Sequence, residues 1–403
     1  MKKGPIFGIL LLSMVFLFLE IVSHLTQAFL KGLIVGVDFK TTRELYADQR
    51  EFIRRMLQHE TNILFDPDLG WRYRTVLRSP HCNKTPDLHC DTDHSYSPPG
   101  KLLRISAFGD SFVYGSEVED RSSWPTQLES ILPSTQVLNF GVGGYGTDQA
   151  YLMYEKFGRL HQSRIVFIGF TTVQVARNVN VYHRFYSPDE LVFVKPRYLL
   201  SPDGNLILKP SPIDARKDYM KYQWNPQLIV EIGKYDYWYS PLVYRNPLYD
   251  YSATVRLLSQ AAILTSRKLV PRNTIVYNGR LNPKSEAFEI TAKTLRLFFQ
   301  TVERDGSVPI ILLFPHAEAL GVDGGQRIGV YEGLIEYLRK EGLEYLDLSE
   351  AFTEPVTWKK HFMAGKHYSP HSNSLVAKHI ATYLQQKGLI PWKKDPHNPL
   401  NRL

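Results

Sequence analysis

The sequence predicts an α/β protein in which a five-stranded parallel sheet is covered by helices on both faces. Two observations carry that expectation. Five short, nearly continuous apolar runs occur beyond residue 101: LLRISAF (102–108), TQVLNF (135–140), RIVFIGF (164–170), VPIILLF (308–314) and LEYLDL (343–348). Strands buried on both faces read this way, whereas half-exposed strands alternate apolar and polar residues. Amphipathic stretches at 148–158, 285–304, 329–341 and 372–387 lie between or after the runs, and such alternation places helices over a parallel sheet. Sites in open sheets of this kind form beyond the carboxyl ends of the strands. The residues following Phe108, Phe140, Phe170 and Leu348 are therefore the ones to search for chemistry.

Composition narrows the class further. The 403 residues hold 48 Lys+Arg against 40 Asp+Glu, a formal net charge of +8, with 43% hydrophobic and 22% charged residues. Those proportions exclude a disordered or fibrous chain. The positive excess is spread out, with no basic block interleaved with aromatics, so no nucleic-acid partner is expected. Only the N-terminus carries a long uncharged apolar run, which excludes a polytopic membrane protein.

That run extends from Pro5 to Leu19 and resumes with Ile21 and Val22 beyond Glu20, close to the roughly 17 residues a membrane span requires. Lys2 and Lys3 precede it and should remain cytoplasmic, leaving the rest exported to the periplasm or cell exterior. A cleaved signal peptide is the rival reading. No small-x-small cleavage site follows, and apolar residues resume through Leu30, Leu33 and Val35, so an uncleaved signal-anchor is preferred. The expected organisation is an anchor and the start of a stalk at 1–40, a stalk and cysteine loop at 41–100, a main domain at 101–390 and a tail at 391–403. Cys82 and Cys90, the only cysteines, read as one disulfide in an exported chain. A metal site using His81 and His89 lacks the usual C-x-x-C spacing, and no metal or cofactor is expected.

An insertion at 179–282 interrupts the main domain and is rich in aromatics, including Tyr219, Tyr222, Trp224, Tyr235, Tyr237, Trp238, Tyr239, Tyr244, Tyr249 and Tyr251. It reads either as an accessory unit whose rings pack on the main domain, or as a sugar-stacking or membrane-interface surface.

The sharpest chemical signal is RISAFGDSFVYG at 104–115. Its Gly109-Asp110-Ser111 turn follows a buried strand, which puts the Ser111 hydroxyl and N–H at the crevice. Such a turn into a helix leaves N–H groups free to meet a developing oxyanion. The second strand runs into the glycine-rich NFGVGGYGTDQ (139–149), where backbone amides can approach a substrate closely. AGKHYSPHSNSLVAKHIATYL (364–384) sets His367 on a loop before the last helix. A serine and a histidine at one sheet edge are the minimum for nucleophilic acyl transfer.

Together these blocks resemble the SGNH hydrolases, the GDSL esterase/lipase superfamily, over about residues 100–390 outside the insertion. FDPDLGWRY (65–73) is similar to the leader segment of exported members. The resemblance implies a flavodoxin-like three-layer α/β/α domain. It makes Ser111 the nucleophile and an oxyanion donor, Gly144 the second donor, His367 the base and Asp110 a mainly structural motif residue.

Two positions depart from the family pattern. The oxyanion asparagine falls on Val173, with Gln174 or Thr172 as the residues that could reach in instead. The aspartate three residues before the histidine is Ala364; Asp347, at the end of the fifth strand, reads as the cap of the following turn, with replacement of the missing carboxylate as the alternative. His316 reads as structural, and His361 and His371 are assigned no role. The expected function is hydrolysis or transfer of an acyl ester, acetyl on a cell-envelope saccharide being the leading case, through an acyl-serine. The alternative is a degenerate member that binds saccharide or a partner without turnover.

Overall fold

The computed structural model describes residues 4–30, 39–58, 63–73, 102–132, 134–187, 193–225 and 227–390. Cys82, Cys90 and the proposed boundary near residue 100 lie outside the described residues, as does the tail.

The chain begins with an apolar helix α1 (Gly4–Leu30) and a polar helix α2 (Thr42–Gln58). A tight antiparallel hairpin follows, β1 (Ile63–Asp66) and β2 (Gly70–Tyr73). The main domain then alternates strand and helix: β3 (Leu103–Gly109), α3 (Ser111–Tyr114), α4 (Trp124–Ile131), β4 (Thr135–Gly141), α5 (Thr147–Lys156), β5 (Ile165–Phe170) and α6 (Thr172–Asn178). Beyond the insertion, whose longest helix is α7 (Ala253–Leu269), come α8 (Glu286–Arg304), β6 (Val308–Leu313), α9 (Glu332–Glu341), β7 (Tyr345–Asp347) and α10 (Pro370–Gln386).

The five main strands form one parallel sheet in the order β7-β6-β5-β3-β4, the doubly wound order 2-1-3-4-5 read from the other edge. Its reversal point lies between β3 and β5, immediately beneath Ser111. Alternate residues of each strand feed two cores. Ile105, Ala107, Phe167 and Leu312 pack under α4 and α10, while Phe108, Phe140, Ile168 and Leu313 pack under α5 and α8. Both faces are covered, so the strands have no solvent side and read as continuous apolar runs.

The insertion is continuous with the second core rather than a separate unit. Tyr182, Phe185, Tyr198 and Tyr219 are buried in it, and the Tyr219 hydroxyl accepts the Val194 N–H at 2.8 Å. Tyr222, Tyr237, Trp238, Tyr239 and Tyr244 pack against the same cluster. Most insertion rings therefore serve packing, and Tyr235 and Tyr251 are the exposed tyrosines among those named. Within it the fully buried Lys195 ammonium pairs with the Asp148 carboxylate of α5. Truncating one partner would strand the other charge, at a cost of about 3–5 kcal/mol.

Candidate active site

Ser111 is the first residue of α3, and its position is fixed by what surrounds it. A Cβ on Gly109 would lie 2.4 Å from Val113 Cγ2, so only glycine lets α3 fold back over the strand end. Asp110 caps the helix: its carboxylate accepts the Phe112 N–H at 3.0 Å and the Thr171 hydroxyl at 2.7 Å, and lies 3.5 Å from Arg177 Nη1. That buried carboxylate ties β3 to the start of α6. It thus holds the turn and does not touch the serine hydroxyl's partner.

His367 arrives from the far end of the chain. Lys366 N–H donates to the Met363 carbonyl and Met363 N–H to the His367 carbonyl, closing a tight turn with Lys366 at φ 74°. The next residue, Tyr368, is buried and donates its hydroxyl hydrogen to the Pro315 carbonyl at 2.7 Å. The Phe112 ring packs against both His367 (5.3 Å between centroids) and Tyr368 (5.0 Å). The result is a hydrogen bond between His367 Nε2 and Ser111 Oγ at 2.8 Å.

The other ring nitrogen meets a carboxylate that sequence reasoning did not single out. His367 Nδ1 lies 2.7 Å from Glu117 Oε2. Glu117 also accepts the Gly365 N–H at 2.7 Å and the His367 N–H at 3.2 Å. Partial burial alone would raise the Glu117 carboxyl. Hydrogen bonds from the His367 ring and from those two backbone N–H groups outweigh it and hold the group below the ordinary carboxylate range. Glu117 itself sits at φ 68°, a left-handed conformation costing a side-chain-bearing residue about 1–2 kcal/mol. Strain of this kind is kept where the surroundings impose it.

Other expected positions fall as follows. Asp347 accepts the Ser349 N–H at 2.9 Å and caps the turn after β7, so it is not the residue that orients His367. Gln174 is fully buried; its amide donates to the Gly169 carbonyl at 3.1 Å and its carbonyl accepts from the Thr147 hydroxyl. Both ends are engaged inside the fold, which corrects the expectation of an oxyanion donor there. Thr172 and Val173 lie half-buried in the first turn of α6. His316 packs edge-on to Phe112 at 4.7 Å, and burial holds it below the ordinary histidine range despite Asp110 nearby. His361 Nδ1 lies 3.1 Å from the Thr357 N–H, within the turn before His367.

Gly144 adopts φ 82° in the loop after β4, a conformation glycine enters freely. The leader hairpin braces that loop. The Gly143 N–H donates to the Tyr73 hydroxyl at 3.1 Å, and the Trp71 indole N–H donates to the Gly143 carbonyl at 3.0 Å. Among the described residues, neither the Ser111 N–H nor the Gly144 N–H has a protein acceptor. A serine, histidine and glutamate in sequence, beside two uncommitted amides, form an arrangement able to attack an acyl carbon and receive the resulting oxyanion.

No family model matches the chain, and no curated protein matches it. Solved structures similar in fold include a member of the lipolytic protein G-D-S-L family from Veillonella parvula, with 11% identity, 70% of this chain and 98% of that one covered, and a TM-score of 0.35. A GDSL-like lipase from Bacteroides thetaiotaomicron matches with 9% identity, 73% and 92% coverage and a TM-score of 0.35. A catalytic mutant of an acetylxylan esterase from Geobacillus stearothermophilus matches with 11% identity, 74% and 100% coverage and a TM-score of 0.36. These likenesses say nothing of activity or substrate.

Proposed function

We propose that this chain is an SGNH-type serine ester hydrolase or acyltransferase, anchored in the membrane by α1, with Ser111 as nucleophile, His367 as base and Glu117 as the carboxylate that orients the base. The observation that carries the reading is the unbroken chain Ser111 Oγ–His367 Nε2 (2.8 Å) and His367 Nδ1–Glu117 Oε2 (2.7 Å).

Ser111 Oγ attacks the acyl carbon as its proton passes to His367 Nε2. The imidazolium so formed lies against the Glu117 carboxylate, which also fixes hydrogen on Nδ1 and leaves Nε2 free to accept. Negative charge on the former carbonyl oxygen is received by the Ser111 and Gly144 N–H groups. His367 then gives its proton to the leaving alkoxide, and an acyl-serine remains. Water or an acceptor hydroxyl, deprotonated by His367, releases it. Val173 supplies no third donor, and one missing donor lowers the rate about 10²–10³-fold. Acetyl on a cell-envelope saccharide is the substrate class we put first, because an exported domain meets such esters.

The degenerate-binder reading draws on Val173 and Ala364, which stand where the family has its oxyanion asparagine and its orienting aspartate. The orienting carboxylate at Glu117 weighs against it. Acetyl-ester hydrolysis by the purified full chain in detergent, compared with Ser111→Ala, separates the two. Turnover abolished by Ser111→Ala supports the enzyme. Wild-type turnover equal to that variant's background contradicts it.

A further inference from the structure

The apolar helix α1 does not hang free of the domain. On its carboxyl-terminal half, Glu20, Ser23 and Gln27 fall on one stripe and meet the start of α7. The Glu20 carboxylate accepts the Ser252 hydroxyl, the Ala253 N–H at 2.7 Å and the Thr254 N–H at 3.3 Å, capping that helix. Ser23 Oγ lies 3.0 Å from Thr254 Oγ1, and Gln27 donates to the Ala253 carbonyl. Two residues before Ser252, Asp250 in turn caps α2, accepting the Thr42 N–H at 2.7 Å. Anchor, stalk and insertion are thus buckled together at one corner by reciprocal carboxylate caps.

Length then decides where this corner sits. The exposed apolar side chains of α1 run from Phe7 to Phe29, and at 1.5 Å per residue a hydrocarbon core about 30 Å thick takes up about 20 residues of the helix. A span that starts near Pro5 therefore continues to about residue 24, past Glu20 and Ser23. The junction with α7 is carried to the outer boundary of the bilayer. Glu20, the one carboxylate in α1, is there met by three donors, as an ionisable group at membrane depth requires.

The protein surface around the junction has the matching character. Leu242, Leu248, Tyr251 (73% exposed) and Leu258 (63%) are large apolar side chains turned outward. The Arg43 guanidinium stacks on the Tyr251 ring at 5.0 Å, and Arg245 is exposed nearby in sequence. Leucines with a tyrosine and arginines beside them are the composition of a surface seated among lipid headgroups.

We propose that residues 241–258 of the insertion rest in the outer interface of the membrane that α1 spans. The partner is the lipid headgroup region, and α1 is a docked mount that fixes one face of the domain against the bilayer. This rests on α1 being a span and is independent of the catalytic reading.

The full chain, reconstituted in vesicles of phosphatidylcholine and phosphatidylglycerol carrying a diazirine-labelled phosphatidylcholine, tests it by photolabelling and peptide mapping. Adducts are expected on α1 and on 241–258, with a severalfold loss on 241–258 alone in the Leu248→Glu, Tyr251→Glu, Leu258→Glu variant. These side chains are exposed, and a thermal melt serves as the check of folding. Adducts on α1 with none on 241–258 above the level of the exposed 321–329 loop would overturn the inference. Absence of adducts on α1 would overturn it together with the anchor. Loss of the catalytic reading through an active Ser111→Ala would leave the labelling pattern as expected.

Discussion

Replacing Glu117 by glutamine tests the catalytic chain at its least expected member. The change keeps volume and two acceptor contacts of the side chain while removing the charge that faces the imidazolium. Charge centres about 4 Å apart attract by about 4 kcal/mol at an effective dielectric of 20, and by about 1 kcal/mol in bulk water. The side chains of His367 and Glu117 are 24% and 28% exposed, which places this pair between the limits. A loss of about 2–3 kcal/mol follows, and at 1.36 kcal/mol per decade kcat should fall about 30- to 200-fold. This is less than the roughly 10⁴-fold seen where a fully buried carboxylate fixes the tautomer. KM should change little, because Glu117 touches the base and not the acyl group. Steady-state acetyl-ester hydrolysis and the rate of fluorophosphonate labelling, run beside a thermal melt, give the answer. A loss below about threefold, less than ~0.7 kcal/mol, in a variant with unchanged Tm would refute the role assigned to Glu117.

Other perturbations have defined outcomes. Installing the family's aspartate with Ala364→Asp should leave kcat within about twofold, since Glu117 already occupies the Nδ1 side; a gain above about tenfold would mean the carboxylate was missing after all. Tyr73→Phe removes the acceptor of the Gly143 N–H, so stability should fall by about 1 kcal/mol and kcat with it. A lower Tm with unchanged kcat would make the hairpin a brace without influence on the amides. His161 and His183 are held neutral by burial, aided by neighbouring cations, with pKa values lowered to about 4 and about 3. The unfolded chain takes up these protons near pH ~6.5, so stability is complete above that value and declines on acidification towards pH ~4, by up to about 1.4 kcal/mol per pH unit for each ring. Urea midpoints that stay level between about pH 7 and about pH 5 would contradict this.

The parts of the fold legible in the sequence are those whose burial leaves a local imprint. Residues 102–108 and 164–170 read as strands because both faces are covered, and α8 shows a sharp apolar stripe because only one side meets the sheet. Ser111 and His367 could be named because each lies in a block with its own turn chemistry. Glu117 could not. Its role depends on Gly115 ending α3 and on a left-handed turn that carries the chain back beneath His367, a contact spanning 250 residues. The one local hint was a cluster of acids, Glu117, Glu119 and Asp120, directly after the serine block. Gln174 misled for the opposite reason, since its neighbour Thr147 is distant in sequence and engages it inside the core. The insertion's rings were ambiguous by composition, because a packed tyrosine and a surface tyrosine read alike.

Mass-spectrometric mapping of the full chain after reaction with a fluorophosphonate bears most directly on the central claim that Ser111 is an activated nucleophile. The account predicts one adduct, on Ser111, formed by folded protein and lost on heat unfolding or in His367→Ala. A folded chain that remains unmodified, or carries its adduct on another serine, would contradict it.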